Sequence, residues 1–296
     1  MAAPAPPPRL QAWKPPIDGI REVLHATFTD HAYPPHVHDV WTLFIVDDGA
    51  IRYDLHREHR SALPSMVSIL PPHVVHDGRA ATEGGFRERV LYLEEDVVGP
   101  DLIGPAVDRP VIRDARLRQR VSALHDALCC AVEGLRAETI LGEVSEQIRL
   151  SFGGRPAAGP EMAAGTMADE LRAYLDARRF EPVTIAAAAT EIGAGPTHLA
   201  RAFSTTFGIS PHAYVLGRRL ETARDRILRG QPLADVAAEV GFYDQAHLAR
   251  HFRTYFGIPP GRFARSGRDQ ATTSPGLRRT GRSGSSETGW PGRIGA

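Results

Sequence analysis

The feature that most constrains this chain is an internal repeat. Residues 197–211 and 246–260, an offset of 49, agree at ten of fifteen positions. The matched pairs include His198/His247, Leu199/Leu248, Ala200/Ala249, Arg201/Arg250 and Phe203/Phe252. Phe207/Phe256, Gly208/Gly257, Ile209/Ile258 and Pro211/Pro260 continue the match. Agreement this dense at a fixed period means that one structural unit is used twice.

Each copy reads as helix, turn, helix. In the first, residues 184–190 make a short Ala-rich helix, and its small side chains let a second helix cross it closely. Residues 192–195 turn, with Gly193 and Gly195 supplying conformations that other residues resist. Pro196 suits the first turn of the next helix, which buries Leu199, Phe203 and Phe207 and presents Thr197, His198, Arg201 and Thr205. In the second copy residues 233–240 form the supporting helix and residues 241–243 the turn. Asp244 caps the following helix through its carboxylate. Leu248, Phe252 and Phe256 face inward there, and Gln245, His247, Arg250 and Arg253 face outward. Gly208 and Gly257 end the two helices, each with Pro soon after.

The outward residues suit double-stranded DNA. Arg donates two hydrogen bonds to guanine and Gln bonds adenine, while His and Thr reach base edges or phosphates. A major groove accepts one helix, so two helices joined by the helix-like stretch 213–231 suit successive grooves about 34 Å apart. A merely solvated Arg/His face explains either copy alone. For both copies together a DNA-reading face is the better explanation, with the solvated face as the alternative.

The first half of the chain reads differently. Residues 41–46 are a β-branched and aromatic run, residues 47–49 a turn, and residues 51–55 alternate. Residues 66–70 and 89–93 are further short strands, and together they suggest a small barrel or sandwich. Two amphipathic helices follow, residues 114–133 and 139–152 about Gly134, as a helical hairpin. Its apolar stripe has two possible partners, the barrel or a second subunit. The sequence leaves both open.

Charge supports a division of labour. Residues 1–165 carry a net −6, residues 166–265 a net +3 with 13 Arg and no Lys, and residues 266–296 a net +3. That permits a nucleic-acid partner without requiring one. No run approaches a membrane span and no signal pattern opens the chain, so a cytoplasmic protein without a membrane partner is expected. The adjacent Cys129 and Cys130 make no disulfide framework and read as small thiols on a helix. No nucleophile motif or phosphate loop is present, so no catalytic residue is assigned.

Residues 240–252, with Phe256, Gly257, Ile258, Pro259 and Pro260, resemble the signature region of the AraC/XylS family of transcription regulators. The resemblance covers residues 166–265 closely. It implies seven helices, two of them recognition helices, with a long helix between. Thr197, His198 and Arg201, and residues 244–247 with Arg250, sit where that family reads or grips DNA, while Ala200 and Ala246 stand where relatives often carry a larger polar reader. Residues 34–39, Gly49 and residues 69–76 resemble the family's cupin-like sensor domain. That implies a small barrel holding an effector, with the hairpin as a dimer contact.

His36 and His38, two apart, share one face of a strand, and His76 ends another. Three readings stand for this cluster. Convergent imidazoles suit Zn, Fe, Ni or Mn, the reading of a metal-dependent barrel enzyme. However, metal-binding cupins usually add a Glu four or five residues later, where Thr42 and Leu43 stand here. The second reading is a polar effector pocket walled by Trp41 and Tyr53. The third is hydrogen bonding at the barrel mouth. The expectation carried forward is an effector site of His36, His38, Trp41, Tyr53 and His76, with no metal and no cofactor.

The expected fold is α+β in two domains, a cupin-like β-barrel with a helical hairpin and an all-α domain with two helix-turn-helix units. The expected divisions are a disordered segment 1–16, an effector and dimerisation domain 17–152, a linker 153–165, a DNA-binding domain 166–265 and a disordered tail 266–296. The expected partners are double-stranded DNA and a small-molecule effector, with RNA polymerase and a second copy as further candidates. The expected function is an effector-controlled, sequence-specific transcription regulator.

Overall fold

The computed structural model describes residues 8–129, 134–153 and 166–272. Its strands, in chain order, are β1 (Arg9–Trp13), β2 (Ile20–Phe28), β3 (Ala32–His36), β4 (Trp41–Gly49), β5 (Ile51–Leu55), β6 (Glu58–Ala62), β7 (Val67–Leu70), β8 (His76–Ala80), β9 (Phe86–Leu93) and β10 (Val111–Ile112). They build two facing antiparallel sheets. One runs β1-β2-β9-β4-β7-β10 and the other β3-β8-β5-β6.

Strand β4 shows how the barrel is sealed on both faces. Side chains alternate along a strand. Trp41, Leu43 and Ile45 join a cluster with the helical layer, while Phe44 and Val46 join the barrel interior. The helical layer comprises α1 (Glu95–Val98), α2 (Ile103–Asp108), α3 (Ala115–Leu128) and α4 (Gly134–Ser151). The Asp114 carboxylate caps α3, accepting from the backbone N–H groups of Arg116 and Leu117. Leu117, Val121 and Leu124 of α3 and Val144 and Ile148 of α4 pack on Trp41, Leu43 and Leu91. The hairpin stripe left open by the sequence therefore faces its own barrel.

The carboxy-terminal domain is helical: α5 (Met167–Ala177), α6 (Ile185–Ile192), α7 (Pro196–Phe207), α8 (Pro211–Leu228), α9 (Leu233–Glu239), α10 (Gln245–Phe256) and α11 (Pro260–Thr272). The offset of 49 carries α7 onto α10 and the start of α8 onto the start of α11. No helix among the described residues is long and apolar enough to cross a membrane.

The two domains share cores. Leu24, Phe28, Tyr53 and Val90 of the barrel cluster with Leu220, Phe252, Phe256 and Phe263 of the helical domain. Val37 and Val75 join Leu199, Phe203 and Tyr214. Arg224 of α8 and Glu22 of β2 form a buried ion pair, Nε to Oε1 at 3.0 Å, with the guanidinium over the Tyr92 ring at 4.4 Å.

Several expectations need correction. Residues 9–13, expected to be disordered, form β1, because Leu10, Ala12 and Trp13 bury against the barrel and the backbone pairs with β2. The tail boundary at 266 falls inside α11, and the Ser266 hydroxyl accepts from the Ala12 backbone N–H at 3.3 Å. Residues 47–49 are not a turn but the end of β4, with Asp48 and Gly49 paired to β9 before the chain changes sheets. Most of the proposed linker, residues 154–165, lies outside the described residues, as do Cys130 and the tail beyond 272.

Candidate nucleic-acid interface and barrel cavity

The two recognition candidates are built by matching local rules. Thr184 caps α6, its hydroxyl accepting from the Ala187 N–H at 3.1 Å, and Asp244 caps α10, accepting from the His247 N–H at 2.7 Å. Gly208 and Gly257 close α7 and α10 in the left-handed region, at φ +71° and +77°. Leu199 and Phe203 in one copy, and Leu248 and Phe252 in the other, are fully buried.

The opposite faces are open. Thr197, His198 and Arg201 are exposed on α7, and Gln245 and Arg250 on α10. His247 departs from the outward expectation. It is half-buried, its Nε2 lies 3.0 Å from that of His251, and its ring meets Phe242 edge-on. The apolar Phe242 beneath it draws the imidazole inward. Asp244 is exposed with its carboxylate engaged in the cap. Sequence reasoning missed Tyr243, a 93% exposed ring just before the N-terminus of α10. An aromatic in the turn of the second unit was the available signal.

The barrel cavity gathers four of the five expected effector residues. His36, His38, Tyr53 and His76 line a cavity of about 60 Å³, with Thr42 and Glu88 beside them. Trp41 does not. It is the wrong parity of β4, and its ring lies beneath α3 and α4 while Thr42 and Phe44 face the cavity. A smaller void of about 20 Å³ shares His36 and His38 and reaches Arg224, Tyr255 and Phe256 of the helical domain.

His36 and His76 are cross-strand partners on β3 and β8, and His38 follows in the connection to β4. Their ring centroids lie 4.4 to 5.1 Å apart, and all three residues are buried. Burial holds the His36 imidazole well below its ordinary value, and the neighbouring His76 and His38 add to this. Burial likewise takes His76 down to about 3, with His38 adding. Glu221 of α8 faces the cluster, Oε1 at 3.3 Å from His38 Nδ1. Burial opposes its ionisation, but His38 and then Arg224 outweigh this and bring the carboxyl down to about 2. Thr42 Oγ1 and the Tyr53 hydroxyl in the cavity, and the Tyr255 hydroxyl at the smaller void, are buried without a hydrogen-bond partner among the described residues. Unsatisfied groups of this kind mark a place where a guest or water belongs.

Comparison with known proteins covers both halves. A family model described as an AraC-like ligand binding domain matches residues 19–145, and one described as a helix-turn-helix domain matches residues 188–266. The virulence regulon transcriptional activator VirF of Yersinia enterocolitica and the thermoregulatory protein LcrF of Yersinia pestis are each 30% identical over 79 residues. The matched stretch is 26% of this chain and 29% of either relative. Among solved structures, ToxT from Vibrio cholerae O395 superposes with a TM-score of 0.57 at 8% identity, covering 88% of this chain and 97% of that one. ToxT of strain SCE256 with a bound unsaturated fatty acid gives 0.52 at 11% identity, covering 89% and 97%. These structures share the two-domain fold.

Proposed function

From its place in the AraC family, to which the chain belongs, we propose that this protein is a sequence-specific DNA-binding transcription regulator controlled by a small guest in its barrel. The observation that carries the reading is the pairing of Arg201 and Arg250. They occupy equivalent positions of the repeat, both are exposed, and both stand opposite fully buried Leu and Phe residues. The matched relatives are described as a transcriptional activator and a thermoregulatory protein, which supports a regulatory rather than enzymatic role.

Thr197, His198, Arg201, Gln245 and Arg250 are the DNA-facing set, with Tyr243 added from the structure and His247, half-buried against Phe242 and His251, at the edge of that face. Asp244 contributes by fixing the start of α10. His36, His38, Tyr53 and His76 form the effector set. ToxT is described with an unsaturated fatty acid bound. A cavity of about 60 Å³ is far below the ~300 Å³ at which pockets for larger organic ligands begin, so the guest here is small or the domains part to admit it. RNA polymerase and a second copy of the chain are the further partners of this reading, and the cytoplasm is its compartment.

Coupling follows from contact. Val37 and Val75, beside the histidines, pack on the first reading unit, while Glu221 of the connecting helix α8 and Tyr255 of the second unit reach the same cluster. A guest that prefers one arrangement of these contacts shifts the population of DNA-competent molecules. The test is a DNA titration on a selected operator. Arg250→Ala, if that side chain reads a base, weakens binding by about 1–3 kcal/mol and relaxes preference at one position. Unchanged affinity and preference removes the assignment.

A further inference from the structure

The cavity offers three imidazoles, and the fold supplies a carboxylate that the barrel sequence lacks. One ligand atom from each of His36, His38 and His76 lies within 4.8 Å of the others. Four-coordinate zinc with bonds of about 2.0–2.1 Å needs ligand atoms about 3.3 Å apart, so small side-chain shifts close the set. The other nitrogens are already committed. His36 Nδ1 lies 2.6 Å from the Pro34 carbonyl and His76 Nδ1 3.0 Å from the Val74 carbonyl, the residue two before in each case. Donation to those carbonyls fixes the tautomer and leaves each Nε2 a lone pair. Metal-binding histidines characteristically have this outer arrangement.

The third ring is placed from the other domain. His38 Nδ1 and Glu221 Oε1 stand 3.3 Å apart, yet both atoms are buried and neither is aligned in a hydrogen bond among the described residues. A carboxylate behind a ligating imidazole is a common second support. The cavity of about 60 Å³ holds an ion with one or two waters. Nitrogen donors without thiolate favour zinc-type cations over calcium or magnesium, which prefer oxygen.

We propose that His36, His38 and His76 bind a divalent transition cation of the zinc type, with Glu221 of α8 steadying His38 from the DNA-reading domain. The cation draws His38 and Glu221 together across the domain boundary. Val37, between two of the ligands, transmits the change to the first reading unit, and α8 joins that unit to the second. This coupling, unlike the site itself, rests on the regulatory reading above.

The test uses the full chain, stripped with a chelator and titrated with Co(II) and then Zn(II). One Co(II) per chain is expected, displaced by Zn(II), with three imidazoles counted by X-ray absorption of the zinc-loaded wild type. His76→Gln and His36→Ala weaken binding by at least about 100-fold, and Glu221→Gln by about 10–100-fold with stoichiometry kept. His251→Ala leaves binding unchanged. Stoichiometry well below one, fewer than three imidazoles in the wild-type spectrum, or loss of the ion on His251→Ala overturns the site. The wild-type spectrum decides even if a variant fails to fold. In a parallel DNA titration, Zn(II) changes affinity by at least about tenfold. An ion bound without that change refutes the coupling and leaves the site standing. Failure to bind any DNA, with or without the ion, refutes the regulatory reading instead.

Discussion

Arg224→Met probes the bond between the two domains. Arg224 and Glu22 are 3% and 6% exposed, and the guanidinium also lies over the Tyr92 and Phe256 rings at 4.4 and 5.2 Å. Burial pushes the Glu22 carboxyl up to about 7 even with Arg224 beside it. Removing the arginine strands that carboxylate, and breaking one side of a buried pair costs about 3–5 kcal/mol. The double variant Glu22→Gln/Arg224→Met removes both members of the pair, leaves Glu221 with His38 beside it, and should lie within about 2 kcal/mol of the parent. The assay is urea unfolding followed by tryptophan fluorescence, since Trp13 and Trp41 are both buried. Because the folded-state value of Glu22 is raised, its stabilising share is full below the unfolded value near 4.5 and is lost as pH rises through about 7. The cost of Arg224→Met should therefore shrink between pH 8 and pH 5. A cost below about 1 kcal/mol at pH 8, or a double variant as unstable as the two singles combined, would refute a desolvated pair.

Two further perturbations use internal controls. Gly257→Ala and Gly208→Ala impose the same left-handed strain of about 1 kcal/mol. However, a Cβ at Gly257 meets Phe28 at 2.8 Å and His31 at 3.1 Å, whereas one at Gly208 meets only Arg57 Nε at 3.9 Å. Gly257→Ala should cost clearly more by urea midpoint, and equal costs would contradict the tight domain contact. His25 Nε2 and His125 Nδ1 lie 3.2 Å apart between barrel and α3. Burial takes His25 down to about 4 and His125 well below the ordinary range. A depressed imidazole contributes stability above the unfolded value near 6.5 and loses it as pH falls, so this pair removes up to about 3 kcal/mol per pH unit between pH 6.5 and 4.5. His125→Leu should lower the slope of that limb by up to about 1.4 kcal/mol per pH unit in unfolding curves at pH 7, 6 and 5, with His36 and His76 still contributing to what remains. An unchanged slope would rule the pair out as its source.

What the sequence disclosed was what local rules govern. The repeat, the cap at Asp244, and the burial of Leu199, Phe203, Leu248 and Phe252 each depend on neighbours within a turn or two. Trp41 was misplaced because residues 41–46 are buried on both faces, so no polar alternation marks which side chains look into the barrel. Strand β1 was hidden by the prolines around Arg9–Trp13, its pairing supplied by β2. Glu22 with Arg224 and His38 with Glu221 join residues about 200 positions apart. No spacing rule reaches that far, so the carboxylate at the histidine cluster was invisible until the domains were seen together.

Hydroxyl-radical footprinting of the chain on its selected operator tests the duplicated reader most directly. The expected result is two protected patches about 10 base pairs apart on one face of the duplex. Arg201→Ala should fade one patch and Arg250→Ala the other. A single patch, or two patches that both variants weaken alike, would contradict a protein that reads successive turns with two copies of one unit.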